Sequence, residues 1–244
     1  MGTTGRSMGD AFVGRLDEIW RYPVKSLGGE RLERAMLEAR GVQGDRAWAL
    51  RGKDGKLGSG KNTRRFRRMS GLLGASSRTA PDGTVVVSFA DGGEMPAVSP
   101  EAARAFSGLV GEEIEFSFEA QVSHLDDSPL HLVTTATLAW LGTLLPNAAI
   151  DARRFRPNLV VAVPGGGRPE DTWVGRRLRI GDAVLSVHKP TERCVMTTME
   201  QPGLAFEPAI LRTLESLHGG NLGVYAKVER LGHCSVGDAV ELLD

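Results

Sequence analysis

Lys189-Pro190-Thr191-Glu192-Arg193-Cys194-Val195-Met196-Thr197-Thr198 follows an apolar run, residues 183–188 (AVLSVH), and reads as the loop leaving a strand. Pro190 has no amide donor and is expected to end that strand. Cys194 then sits on a loop beside Arg193, with Lys189 near it; a cation beside a thiol favours the thiolate, the form that attacks and that binds metals. Thirty-eight residues before Cys194 stands Arg156, in the basic turn Arg153-Arg154-Phe155-Arg156-Pro157-Asn158, just ahead of an apolar strand over residues 159–163. Thirty-one residues after Cys194 comes Tyr225, in Asn221-Leu222-Gly223-Val224-Tyr225. One soft ligand, several anion-binding cations and a phenol together fit a site for a soft metal carried by an anionic cofactor.

Outward from this stretch the chain is a series of short strands. Residues 177–180 and 183–188 flank Gly181-Asp182 as a hairpin. Residues 222–231 and 239–243 are closing strands joined through Gly232 and Val236-Gly237-Asp238, and residues 208–217 form a helix between the two groups. Upstream, residues 130–134 read as a strand, and Thr135 can cap a helix with Leu138, Leu141, Leu144 and Leu145 on one face. A helix opening at Thr134-Thr135 offers free amides to an anion. Gly165-Gly166-Gly167 lacks the Lys-Ser/Thr ending of a phosphate-binding P-loop and is read as a flexible loop.

In the first half, residues 12–22, 32–37, 47–50, 84–89 and 113–118 read as strands, and Ser99-Pro100-Glu101 opens a helix with a cap, a proline at the first position and an acid in the first turn. The polar run His124-Leu125-Asp126-Asp127-Ser128 marks a boundary. A zinc site of His124, Asp126 and His131 has no compact spacing to support it. At least ten strand candidates stand against three or four helices. The expected fold is mainly β with a few helices (α+β), built from barrels rather than alternating strand–helix units.

The 244 residues suffice for one large or two modest domains, and 41% are hydrophobic. Lysine and arginine balance aspartate and glutamate at 30 each, but residues 1–80 hold 17 cations against 8 acids. That asymmetry points to two regions with an anion-handling first half. The run Lys61-Asn62-Thr63-Arg64-Arg65-Phe66-Arg67-Arg68 carries one aromatic and no accompanying nucleic-acid motif, so no nucleic-acid partner is expected. No run of about 18 apolar residues spans a membrane. Residues 1–10 have neither signal-peptide nor transit-peptide character and read as a disordered tail. Two cysteines build no disulfide framework and fit a cytoplasmic protein.

The motifs Arg-Phe-Arg-Pro-Asn (154–158), Arg-Cys-x-x-Thr-Thr (193–198) and Val-Gly-Asp (236–238) resemble the MOSC domain, the fold of molybdenum-cofactor sulfurase C-terminal regions. Arg21-Tyr22-Pro23-Val24-Lys25-Ser26-Leu27 with Gly44-Asp45-Arg46 resembles the β-barrel domain that precedes it in the amidoxime-reducing subfamily. The resemblance implies an N-terminal β-barrel domain over residues 11–122 and a MOSC β-barrel domain over residues 123–244. It further implies a molybdenum–molybdopterin cofactor with Cys194 as the protein's metal ligand and catalytic thiolate. Lys25, Ser26, Arg46, Thr134, Thr135, Arg153, Arg156, Asn158, Arg193 and Tyr225 would bind the cofactor, and no pyridoxal phosphate is involved. The implied activity is oxygen-atom removal from small N-hydroxylated compounds with electrons from a separate protein. Two rival readings are a sulfurtransferase carrying a persulfide on Cys194 and a non-catalytic cofactor carrier. No iron–sulfur, haem or dinucleotide motif is present to accept electrons within the chain.

Overall fold

The computed structural model describes residues 11–243; the expected tail at residues 1–10 lies outside them. Seven strands close into a barrel. Around it run Arg177–Ile180, Ala183–Glu192, Asn221–Arg230, Leu130–Thr134, Leu159–Ala162, Ala11–Arg21 and Ala239–Leu243, the last pairing back with the first. All of these pairs are antiparallel except Leu130–Thr134 with Leu159–Ala162. An odd number of strands cannot close with strictly alternating directions, so a parallel pair is required. A parallel pair needs a long crossover, and residues 135–158 supply it through the helices Thr135–Leu144 and Ala152–Phe155.

The period of two along each strand sorts its side chains. Leu130 and Leu132, Leu159 and Val161, Leu178 and Ile180, and Leu185 and Val187 fill the barrel interior. Their neighbours Val133, Val160 and Leu222 face outward, where Leu141 of one helix and Ile210 and Leu214 of the helix Ala209–His218 cover them. Residues 12–22 were expected as a strand of the N-terminal domain, yet this strand sits between Leu159–Ala162 and Ala239–Leu243. Arg34–Glu38 also pairs with Gly232–Ser235, a strand where only a connection was expected.

The second body is built on Trp48–Gly52, which pairs with Ile114–Phe118 and Leu57–Ser59, and on the small sheet Ser76–Thr79, Val85–Ser88 and Glu94–Pro96. The helix Pro100–Val110 closes it. Its cap is the expected one, with the Ser99 hydroxyl accepting from the Ala102 amide. Leu50, Met69, Leu72, Val87, Ala102 and Phe106 form its core. Residues 22–28 carry the chain from the barrel into this body. Val24 and Leu27 are wholly buried in the second core, and the Lys25 amide bonds the Trp48 carbonyl at 2.8 Å. Lys25-Ser26 therefore lies at the junction of the two bodies.

Pro190 does not end its strand, which continues to Glu192. The register slips on both sides of the proline, between Val187 and Lys189 and between Pro190 and Glu192. Such bulges accommodate a residue without an amide proton. Among the described residues no helix is long and apolar enough to cross a membrane.

Candidate functional site

At this junction one cavity gathers Lys25, Ser26, Arg46, Arg156, Asn158, Arg193, Cys194 and Tyr225. Each arrives on a different part of the fold. Lys25 and Ser26 lie on the crossing segment, Arg46 on the turn before Trp48–Gly52, and Arg156 and Asn158 on the end of the barrel crossover. Cys194 follows Ala183–Glu192 and caps the short turn Val195–Thr198. The Thr197 amide and hydroxyl both donate to the Cys194 carbonyl, at 3.1 and 3.0 Å, and the Thr198 hydroxyl donates to Val195 at 2.7 Å. The paired threonines of the motif thus lock the loop that presents the thiol.

Three non-glycine residues among those described have left-handed backbones, and all three line this cavity: Ser26 (φ 67°), Arg46 (φ 51°) and Arg156 (φ 53°). Each costs roughly 1 kcal/mol or more and persists only where its surroundings over-determine it, as functional sites do. The supports are visible. The Ser26 hydroxyl donates to the Gly58 carbonyl at 3.0 Å. Arg46 is paired with the fully buried Asp45, whose other oxygen accepts from the Tyr22 amide at 2.8 Å. Arg156 Nη1 donates to the Leu27 carbonyl at 2.6 Å. The Arg46 and Arg156 guanidinium groups lie 4.9 and 4.2 Å from the centroid of the Tyr22 ring.

The lining carries five cations, Lys25, Arg46, Lys61, Arg156 and Arg193, against three carboxylates, Asp126, Asp127 and Glu192. Burial, only partly offset by the Asp126 carboxylate, lowers the Lys25 ammonium to about 8. Burial, with Arg46 alongside, lowers Arg156 to about 10. Burial likewise lowers Arg193. Burial acts to raise Asp126, but the facing Lys25, 3.0 Å away, outweighs it and holds the carboxyl at about 2. These cations are crowded together and dehydrated. Arg156 Nη2 and Arg193 Nε are buried with no hydrogen-bond partner, so the cavity is short of negative charge and of acceptors.

His131 lies behind Arg193. Its Nε2 donates to the Leu222 carbonyl at 3.3 Å, which leaves Nδ1 to accept from Arg193 Nη1 at 3.5 Å. Burial, and then the Arg193 charge, keep this imidazole neutral. Gly223, at φ +77°, is required here, because a Cβ would lie 2.5 Å from His131 Nε2. Arg193 Nη2 is fixed in turn by the Phe155 carbonyl at 2.7 Å.

Three expected cofactor contacts are not brought to the cavity. Thr134 caps the helix Thr135–Leu144, but the anion at that helix start is internal. The fully buried Glu170 accepts from the Thr134 amide at 3.2 Å and from the Thr134 and Thr137 hydroxyls at 2.7 and 2.6 Å. Thr135 exchanges hydrogen bonds with Val163. Arg153 is held by Asp151 at 2.8 Å and by the Pro202 carbonyl. Asp126 and His131 line the cavity but were not expected in it, and Lys61 of the basic run at 61–68 lines it with them. The signal for Asp126 was its place in the acid-rich run at 124–128, which reads equally well as a boundary. Cys234 is buried in the barrel core.

A group that fits this cavity is anionic. Among the described residues no three His, Cys, Asp or Glu side chains are arranged to hold an ion.

Fold and site together define a β-barrel protein with a cation-rich cavity beside one thiol. The MOSC domain model matches residues 119–241 and the MOSC N-terminal beta barrel domain model residues 13–111; the chain belongs to the MOSC family. It is similar to mitochondrial amidoxime reducing component 2 of Bos taurus, 26% identical over 285 residues covering 93% of this chain and 83% of that protein. It is also similar to mitochondrial amidoxime-reducing component 1 of Homo sapiens, 26% identical over 292 residues covering 95% and 83%. The solved structure of the YUAD protein from Bacillus subtilis shares the fold, with TM-score 0.51 at 16% identity over 94% of this chain and 95% of that one.

Proposed function

We propose that this protein is a molybdenum-cofactor-dependent oxidoreductase that reduces small N-hydroxylated compounds. The observation that carries the reading is the single cavity with one thiol, five cations and an unpartnered Arg156 nitrogen. A persulfide carrier needs the thiol but not the cations. Lys25, Ser26, Arg46, Arg156 and Asn158 would hold the phosphate and pterin of the cofactor. Arg193, oriented by His131, would complete the cradle, and Cys194 would be the protein's ligand to the metal, a soft donor for a soft-ligand site. When bound, molybdenum supplies the two-electron chemistry that breaks an N–O bond; two protons are taken up and water is released. The protein's part is to bind, orient and neutralise charge.

Electrons would come from a separate protein, since two cysteines cannot ligate an iron–sulfur cluster while one serves molybdenum. We place this work in the cytosol, which suits two free thiols. The test is metal content with turnover. The loaded protein should hold about one molybdenum per chain and reduce an N-hydroxylated substrate with a reduced dye, but not with NADH alone. Steady turnover with NADH alone would refute the need for a donor. Molybdenum with no turnover would move the reading to a cofactor carrier, and a persulfide without molybdenum to a sulfurtransferase.

A further inference from the structure

The segment from Ile114–Phe118 to Leu130–Thr134 runs along the cation cavity, and Leu125, Asp126, Asp127 and Ser128 line it. Its two flanks are built in. His124 is wholly buried; its amide donates to the Glu119 carboxylate at 2.6 Å and its Nδ1 to the Arg46 carbonyl at 3.2 Å. Ser128 is buried too, and its hydroxyl donates to the Ala226 carbonyl at 3.2 Å. The three residues between them are held differently. The Asp126 carboxylate pairs with Lys25 at 3.0 Å and the Asp127 carboxylate with Lys189; their side chains are 42% and 51% exposed, so water can solvate either group on release. Arg65 ties down the backbone, donating to the carbonyls of Ser123 at 3.2 Å, Leu125 at 3.4 Å and Asp126 at 2.8 Å. Arg65 belongs to the basic run at 61–68 but does not line the cavity. Its guanidinium and the Lys25 ammonium lie 4.7 and 4.3 Å from the centroid of the same Phe66 ring, so the latch and the cavity cation share one platform.

We infer that residues 125–127 form a displaceable strap: Asp126 holds the Lys25 position that a ligand's phosphate takes on binding, and Arg65 is the latch that keeps the strap in place. Asp126 is a partner that a stronger anion can replace, because burial of Lys25 outweighs its attraction, and a phosphate brings up to about two negative charges and three strong acceptor oxygens. The buried His124 and Ser128 leave the strap anchored while its middle moves. Arg65 separates this device from plain electrostatics, because the two accounts predict opposite signs. A cation fixed near the cavity attracts an anion, and its removal weakens phosphate binding. A latch on a competing carboxylate opposes phosphate, and its removal strengthens binding. The inference rests on the proposed function only in calling the phosphate that of the cofactor.

The test is calorimetric titration of the cofactor-free full chain with inorganic phosphate at pH 8 and constant ionic strength, each variant first checked for its fold by circular dichroism. Asp126→Asn keeps the shape of the strap and removes its charge; it should tighten phosphate about tenfold, since no carboxylate then competes for Lys25. Arg65→Met keeps an unbranched stem on Phe66 and removes the donors; it should tighten phosphate roughly threefold, the weight of a partly exposed hydrogen bond. Arg64→Met is the control. Arg64 is exposed and has no hydrogen bond or ion pair among the described residues, so its loss should leave phosphate binding unchanged or weaker. The double variant should bind no more tightly than Asp126→Asn, because a latch matters only while the carboxylate competes. Unchanged or weaker binding in Arg65→Met, additive gains in the double variant, tighter binding in Arg64→Met, or no phosphate binding by wild type and Asp126→Asn would overturn the inference. No metal and no turnover are read, so such a failure leaves the reductase reading intact. Conversely, a strap that behaves this way in a protein that takes up no molybdenum refutes that reading and leaves the strap standing.

Discussion

Lys25→Met should stabilise the cofactor-free protein at neutral pH, an unusual outcome for the loss of a buried salt bridge. The Lys25 ammonium is 3% exposed and stands among Arg46, Arg156 and the Asp126 carboxylate, 3.0 Å from the last. Dehydration exceeds the Asp126 attraction, and the group falls from 10.5 to about 8. That depression amounts to about 3 kcal/mol against the folded state wherever both folded and unfolded chains carry the charge. The sign follows from the order of the two values. Below pH 8 both states are protonated and the cost is full. Between about 8 and 10.5 the folded lysine is neutral while the unfolded one still binds its proton, so stability rises with pH. Urea unfolding of wild type and Lys25→Met should therefore differ by up to about 3 kcal/mol at pH 7 in favour of the variant, and by about 1 kcal/mol near pH 10. Adding inorganic phosphate should narrow the gap at pH 8, because a bound dianion favours the charged lysine of the wild type alone. A variant less stable than wild type at pH 7, or a gap constant from pH 7 to 10, would refute this account of the site as a dehydrated cation cluster awaiting an anion.

Cys194→Ser should fold normally by circular dichroism and lose molybdenum, since a hydroxyl is a much harder donor than a thiolate; wild-type metal content in the variant would count against the ligand role. Burial, with Asp238 adding to it, pushes the Cys234 thiol up to about 12, so iodoacetamide at pH 8 should leave native Cys234 unmodified by mass spectrometry. Cys234→Ser should leave metal content unchanged. Arg156→Lys keeps the charge but loses the planar fork and should release cofactor at lower salt than wild type; identical release would make Arg156 structural. Glu170→Gln should cost about 2 kcal/mol in urea unfolding with cofactor retention unaltered, because its carboxylate completes a helix start away from the cavity.

Several local signals in the chain were accurate where the cause was local, although Pro190 did not end its strand. Ser99 before Pro100 and the Gly-Asp turn between Arg177–Ile180 and Ala183–Glu192 each act within a few residues; of the leucines expected on one face of the helix Thr135–Leu144, Leu141 is buried but Leu144 is exposed. What the sequence could not display were causes held far apart. Closure of the barrel depends on Ala11–Arg21 meeting strands about 150 and 230 residues later, and no periodicity marks a partner at that distance. The same limit explains the sites. Thr134 and Thr135 do open a helix with free amides, but the anion they satisfy is Glu170, 36 residues on from Thr134, and a window around the threonines contains nothing to say so. Arg153 and Arg156 belong to one basic turn, yet they separate because Ala152–Phe155 is helical and Arg156 turns left-handed immediately after it. Three residues earlier, Arg153 faces Asp151; past the turn, Arg156 faces the cavity. The backbone reversal, not the residue type, decides which arginine meets an anion. The same device recurs at Ser26 and Arg46, the only other non-glycine residues among those described with that conformation. Three separate segments are each bent against their own preference so that their polar groups converge on one volume beside Cys194. A fold that needed only stability would have placed glycine at those bends. Retaining a hydroxyl and two guanidinium groups there indicates that the side chains, not the turns, are what the positions exist to supply.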